Sequence, residues 1–164
     1  MTERGILVLT TGGTIDKQYF DALSEYQITE SIIARMLEVA RVTHPVRIDE
    51  VMRKDSLDID ASDRAMLVER VAAAPERRVV ITHGTDTMTE TAKALAHITD
   101  RTIALVGALT PARFAESDAA FNLGMAFAIV QAAAPGVYIA MNGIVFDGLR
   151  VRKDRDAGRF IAIT

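Results

Sequence analysis

The chain has 164 residues, 49% hydrophobic and 25% charged. That balance suits one folded domain burying roughly 70% of its unfolded surface, and it argues against disorder, collagen-like and coiled-coil architectures. Nineteen Lys plus Arg against twenty-two Asp plus Glu leave a formal charge of −3, without the basic excess that a phosphate backbone demands, so no nucleic acid partner is expected. Zero cysteines remove disulfides, thiolate nucleophiles and thiolate metal sites together. His44, His83 and His97 share no ligand spacing, so no metal is expected. The apolar run Ile6 to Thr10, between Arg4 and Gly12, is too short for a signal core or a membrane span. The reading is a single domain over 1–164, cytoplasmic, with no membrane partner.

In chain order, Ile6 to Thr10 reads as a strand buried on both faces that ends in the sharp turn Gly12-Gly13. The polar segment Asp16 to Gln27 reads as a loop, with Asp16 and Lys17 a solvated pair. Thr29 to Ala40 spaces Ile32, Ile33, Met36, Leu37 and Ala40 as a helix, with Thr29 available as its cap. Val46 to Met52 is a weaker, alternating strand. A helix capped by Ser62 follows, carrying Met66, Leu67, Val71 and Ala74, and Pro75 stops it.

Arg78 to Thr82 is a second buried strand, running into His83-Gly84-Thr85-Asp86-Thr87 and a helix through Met88, Ala92, Leu95 and Ala96; Thr102 to Val106 closes this βαβ unit. Asp118 to Ala133 is apolar almost all round, so cover on more than one side is expected. Gly136 to Met141 is a strand, and Asn142-Gly143 before Ile144 to Phe146 signals a type I′ hairpin. Leu149 to Gly158 is polar and a candidate for site-lining chain, and Arg159 to Thr164 alternates as a last strand. Strands alternating with helices imply an α/β fold: a mostly parallel, twisted sheet with helices on both faces, Rossmann- or flavodoxin-like.

Ligands of such sheets lie beyond the carboxyl ends of the strands. Two segments there carry chemistry. In Thr10-Thr11-Gly12-Gly13-Thr14-Ile15 paired glycines let the backbone approach a ligand while Thr14 offers a hydroxyl, and Thr82 to Thr87 crowds three hydroxyls and a carboxylate at a helix start. Hydroxyl plus amide N–H groups is equipment for acyl transfer. Simpler readings stand beside these: Thr87-x-x-Glu90 fits a capping box, His83 reads as a neutral, hydrogen-bonded core residue in preference to a base, and the methionines at 36, 52, 66, 88, 125 and 141 are core filler. Neither G-x-G-x-x-G nor G-x-x-x-x-G-K-[ST] occurs.

Thr11-Gly12-Gly13-Thr14-Ile15 followed by His83-Gly84-Thr85-Asp86-Thr87-Met88 resembles the two signatures of the bacterial-type L-asparaginases, a group that includes glutaminase-asparaginases. The likeness continues through Val106-Gly107-Ala108 with Pro111, Ser117-Asp118, Phe121-Asn122-Leu123, and Met141-Asn142 with Asp147-Gly148 and Lys153. The resemblance implies an amidohydrolase that releases ammonia from L-asparagine, and often L-glutamine, without cofactor, on a domain like the amino-terminal one of that family. By it Thr14 is the nucleophile that forms a β-aspartyl ester. Thr85, Lys153 and Asp86 form a second constellation, Asp86 also receiving the substrate's α-ammonium group. Ser56, with Asp55 beside it, binds the α-carboxylate, and Gly13 and Gly84 line the pocket. A lysine neutralised by burial is one of the few bases available to such a hydroxyl. Tyr19 is favoured over Tyr26 as the tyrosine of the loop after Thr14.

Two departures accompany the likeness, a short loop and Leu57 where another polar group often stands, and the single-domain reading adds a third expectation, that no second domain brings an acidic residue to a neighbour's site. A homodimer or homotetramer built through Asp118 to Ala133 is the expected substitute wall. An ammonia-generating subunit of an aminoacyl-tRNA amidotransferase and a non-catalytic amino-acid-binding module are the alternative functions.

Overall fold

The computed structural model describes residues 4–20, 25–28 and 31–164, with the side chains of all of these except Tyr19, Phe20, Tyr26 and Ile28. Its centre is a six-stranded sheet. β1 (Ile6–Gly12), β4 (Val46–Lys54), β5 (Arg78–Thr82), β6 (Thr102–Val106), β7 (Gly136–Met141) and β8 (Ile144–Asp147) lie in the order β4-β1-β5-β6-β7-β8. All neighbours are parallel except β7 and β8. Counted in chain order, the five parallel strands therefore run 2-1-3-4-5, the flavodoxin-like winding expected from the sequence. Every residue of β1 and β6 is buried, as strands covered on both faces should be, whereas β4 at the edge alternates.

Two apolar layers sandwich the sheet. On one side α2 (Ala61–Ala73) and α3 (Met88–Ala94) bury Leu67, Val71, Met88 and Ala92 against Leu7, Leu9, Val79, Ile81, Ile103 and Leu105. On the other, α1 (Ile33–Val39) and α4 (Ala119–Ala132) bury Ile33, Leu123, Ala126, Phe127 and Val130 against Ile6, Val8, Val80, Ala104 and Val106. Among the described residues α4 is covered mainly on its sheet side, and Phe121 and Ala128 face outward. The helix-rich halves are thus built by the two faces of alternating strand residues.

Several local expectations give way. The cap of α2 is Asp60, not Ser62: its carboxylate accepts from Asp63 N at 2.9 Å while that of Asp63 accepts from Asp60 N at 3.1 Å. A reciprocal pair of carboxylates satisfies two helix N–H groups and suits the positive end of the helix dipole better than one hydroxyl. Met66 is exposed on that helix. Thr29 lies outside the described residues, and α1 begins only at Ile33. The segment Asp16 to Gln27 is not simply a loop: β2 (Lys17–Phe20) pairs antiparallel with β3 (Glu25–Ile28). Within Leu149 to Gly158, β9 (Val151–Asp154) pairs antiparallel with β10 (Arg159–Ala162), which ends before Thr164. The hairpin turn is as expected, Asn142 and Gly143 having φ 54° and 70°.

Candidate functional site

Winding order alone locates the site. From β1 the chain goes to β4 on one side and then crosses to β5 on the other, so the crevice opens between the carboxyl ends of β1 and β5. Glycines let the turns there meet backbone to backbone. A Cβ at Gly13 (φ 84°) would lie 2.5 Å from Gly84 N, one at Gly84 would lie 2.7 Å from Ser56 Cβ, and one at Gly107 would lie 2.5 Å from His83 O. No side chain larger than hydrogen fits, and the turns after β1, β4, β5 and β6 form one continuous floor. Thr14 and Thr85 each follow a glycine of the touching pair. Thr14 is half-buried in the 3-10 turn Thr14–Asp16, and Thr85 is buried.

Ser56 joins the floor to the start of α3. Its Oγ accepts from Asp86 N at 3.2 Å, and its carbonyl accepts from Thr87 Oγ1 at 2.7 Å. Thr87 therefore makes no capping box with Glu90; its hydroxyl is used across the turn instead of along the helix. Asp55, by contrast, is engaged locally: its carboxylate accepts from Leu57 N at 3.1 Å and from Lys17 Nζ at 3.3 Å. Lys17 is accordingly paired with Asp55, not with Asp16.

Lys153 reaches the floor from β9. Its Nζ donates to Thr85 Oγ1 at 2.7 Å and to Asp86 Oδ1 at 2.9 Å, so in place of the burial-neutralised base expected from the sequence it is an amine ion-paired with a carboxylate. Hydrogen bonding from Lys153 holds the Asp86 carboxyl below the usual carboxylate range. Arg155 joins the same carboxylate, its Nε 3.3 Å from Oδ1 and its Nη2 3.3 Å from the Asp86 carbonyl. Thr85, Asp86 and Lys153 are thus brought together, with Ser56, Gly13 and Gly84 adjoining. The backbone of Tyr19 lies in β2, and its side chain is outside those described.

His83 is a wholly buried residue directly beneath. Its Nδ1 lies 2.7 Å from Gly84 O, which can only accept, so Nδ1 carries the proton and Nε2 accepts from Thr91 Oγ1 at 2.7 Å. Arg64 Nε donates to the same Thr91 oxygen at 3.2 Å. Burial pushes the imidazole pKa down to about 4, so it is neutral at pH 7, the bland reading of the sequence. Asp16 is another buried ionisable group. It is not a solvated residue: its Oδ1 accepts from Ser31 Oγ at 3.0 Å and Ile32 N at 2.9 Å, and burial raises its pKa. Asp118 and Asn122 serve the floor as braces, Asp118 accepting from Leu109 N and Thr110 N, and Asn122 Nδ2 donating to Gly107 O at 3.0 Å.

Sequence reasoning passed over Arg155, Thr91 and Arg64. Only Arg155 left a signal, standing two residues from Lys153 in the basic stretch that leads into the turn after β9.

The family profile described as Asparaginase, N-terminal, matches residues 5–160. The chain is 33% identical over 163 residues to the glutaminase-asparaginase of Pseudomonas fluorescens biotype A, an alignment covering 90% of this chain and 45% of that protein. It is 34% identical over 134 residues to a glutamyl-tRNA(Gln) amidotransferase subunit of Pyrobaculum aerophilum, covering 78% of this chain and 32% of that one. The thermostable L-asparaginase from Thermococcus kodakarensis superposes with a TM-score of 0.85 at 28% identity, over 97% of this chain and 51% of that structure. The chain spans about half the length of the asparaginases and glutaminase-asparaginases it matches.

Proposed function

The chain belongs to the asparaginase family, and from that premise we propose that it is an amidohydrolase releasing ammonia and L-aspartate from L-asparagine. One observation carries the reading: a hydroxyl, an amine and a carboxylate, on Thr85, Lys153 and Asp86, are hydrogen-bonded in series beside the glycine turn that presents Thr14. In the proposed reaction Thr14 Oγ attacks the side-chain amide carbon, the C–N bond breaks, and the hydroxyl proton leaves with the nitrogen as ammonia. Water then cleaves the ester and returns the proton to Thr14. Lys153, donating to Thr85 Oγ1, makes that second hydroxyl a better proton donor and a better home for negative charge, while Asp86 balances the amine. Backbone N–H groups of the crowded turns supply donors for the oxyanion. Ser56 Oγ donates to the substrate's carboxylate, with Asp55 beside it holding Lys17, Asp86 takes the ammonium, and Tyr19 assists Thr14. No cofactor enters the scheme.

Purified protein incubated with L-asparagine, and separately with L-glutamine, should release ammonia from the first in clear preference. One extra methylene is worth only about 1–3 kcal/mol, so equal specificity constants would favour a wider glutaminase-asparaginase. Thr14→Ala should abolish turnover; residual activity above about a tenth of wild type would remove Thr14 from the nucleophile role. The similarity to part of an amidotransferase favours a second reading, in which ammonia appears only with a partner protein. Binding of the amino acid without turnover under either condition would mark a binding module.

Cytoplasmic residence and a homodimer or homotetramer complete the proposal. Among the described residues no helix is long and apolar enough to cross a membrane. Phe121, Met125 and Ala128 leave an apolar stripe on α4 for a second copy. Sedimentation of wild type against Met125→Glu tests this, and a fully active monomer would refute it.

A further inference from the structure

The proposed reaction leaves one charged group of the site without a role, Arg155. Its guanidinium and the Lys153 amine share a single carboxylate oxygen of Asp86, at 3.3 and 2.9 Å. Two cations on one anion give the cluster a charge of +1. Accessibility rises outward, from Lys153 at 16% through Asp86 at 31% to Arg155 at 64%, so Arg155 stands on the solvent side of the cluster. The surrounding segment repeats the imbalance: residues 150–159 hold Arg150, Arg152, Lys153, Arg155 and Arg159 against Asp154 and Asp156, in a chain whose net charge is −3.

An ammonium group arriving at Asp86 would gain one carboxylate that two cations already share. A neutral or anionic group meets no such competition. We propose that Arg155 is a specificity-determining residue that weakens the hold of Asp86 on the α-ammonium group of L-asparagine, and so narrows the preference for it over short ω-amides of dicarboxylic acids that lack that group. The inference rests on the Thr14–Thr85 site being the place of reaction. Because Arg155 is exposed, its influence is modest and salt-sensitive: removing the charge should shift discrimination about fivefold, and high ionic strength should narrow it.

The test compares wild type, Arg155→Gln and Arg155→Lys on two amides with the same acyl chain, L-asparagine and succinamic acid, alongside calorimetric binding of the matching products, L-aspartate and succinate. Arg155→Gln should raise the kcat/KM ratio of L-asparagine over succinamic acid about fivefold, through KM and not kcat, while Arg155→Lys keeps the wild-type ratio. Product binding should shift in the same sense. An unchanged ratio in Arg155→Gln, with turnover intact, overturns the proposal and leaves the amidohydrolase reading standing. A shift in product binding without turnover of either amide upholds the charge filter and refutes the hydrolase. Absence of both turnover and product binding in wild type overturns both.

Discussion

Beneath the turn Gly84–Asp86 a buried relay runs from Arg64 through Thr91 and His83 to Gly84 O; above it Lys153 and Arg155 grip Thr85 and Asp86 beside solvent. In the lower set two links, both 2.7 Å, join the neutral His83 ring to Thr91 and to Gly84 O, where water cannot replace a lost partner. The upper set is ionic and opens to solvent at Asp86 and Arg155. Breaking a buried hydrogen bond exposes an orphaned group to a low dielectric, whereas an exposed ion pair is rehydrated at little cost. The same turn is therefore held for stability from below and charged for chemistry from above.

Separation of the two roles has its largest expected consequence in the upper set. Thr85→Val and Lys153→Met should each lower ammonia release by at least about a hundredfold, and the double variant by little more, because groups acting as a unit are strongly non-additive. Unfolding free energies of all three, from urea titration, should stay within about 1 kcal/mol of wild type. Additive rate losses would place the two residues in different functions. A substitution that strikes both sets at once should cost stability and rate together. Gly13→Ala puts a Cβ 2.5 Å from Gly84 N at a φ of 84°, and backbone cannot swing away as a side-chain tip could. A loss of about 3 kcal/mol in urea unfolding is expected, with activity falling in parallel.

What the sequence disclosed follows the same division. Buried runs that end in glycine, at β1 and β5, announce themselves locally, and so the fold and both site turns were legible. β9 was not, because Val151 is its one apolar residue among Arg152, Lys153 and Asp154. The lower relay joins residues 8 and 27 positions apart, and no local pattern encodes a contact of that kind. Thr87 shows the limit from the other side: its spacing to Glu90 matched a capping box, and the nearby Ser56 carbonyl outcompeted it. Asp16 and Lys17 read as a surface pair, yet one is buried under the first turn and the other bridges to Asp55.

The lower set has its own signature in pH. His83 has a folded pKa near 4 and an ordinary value of 6.5, so the folded chain binds fewer protons between them. Stability from the neutral ring is complete above 6.5 and drains away as pH falls toward 4, by about 3 kcal/mol. Urea unfolding between pH 7 and pH 4 should show this slope, and His83→Gln should flatten it. At fixed pH 7, Thr91→Val strands His83 Nε2 and Arg64 Nε and should cost about 1–3 kcal/mol without moving the salt dependence of activity. A negligible loss would mean that the relay does not brace the turn.

Asp16 asks whether burial or charge separates the two sets, since it is buried like the lower one and acidic like Asp86. Burial raises its pKa, and the hydrogen bonds from Ile32 N and Ser31, with the Arg113 charge, only partly oppose that. A folded-state pKa above 3.8 means the folded chain holds this proton more tightly. The associated stability is present below 3.8 and is lost as pH rises through the raised value, so at pH 7 the carboxylate is carried at a cost, the reverse of His83. Asp16→Asn removes the charge and keeps an oxygen for both Ser31 Oγ and Ile32 N. It should be stabilising at pH 7 by no more than about 1 kcal/mol, with an advantage that shrinks as pH falls toward 4. A variant that instead unfolds more easily at pH 7 would show that this buried charge is held by attraction, as the upper set is, and that depth alone does not divide the site.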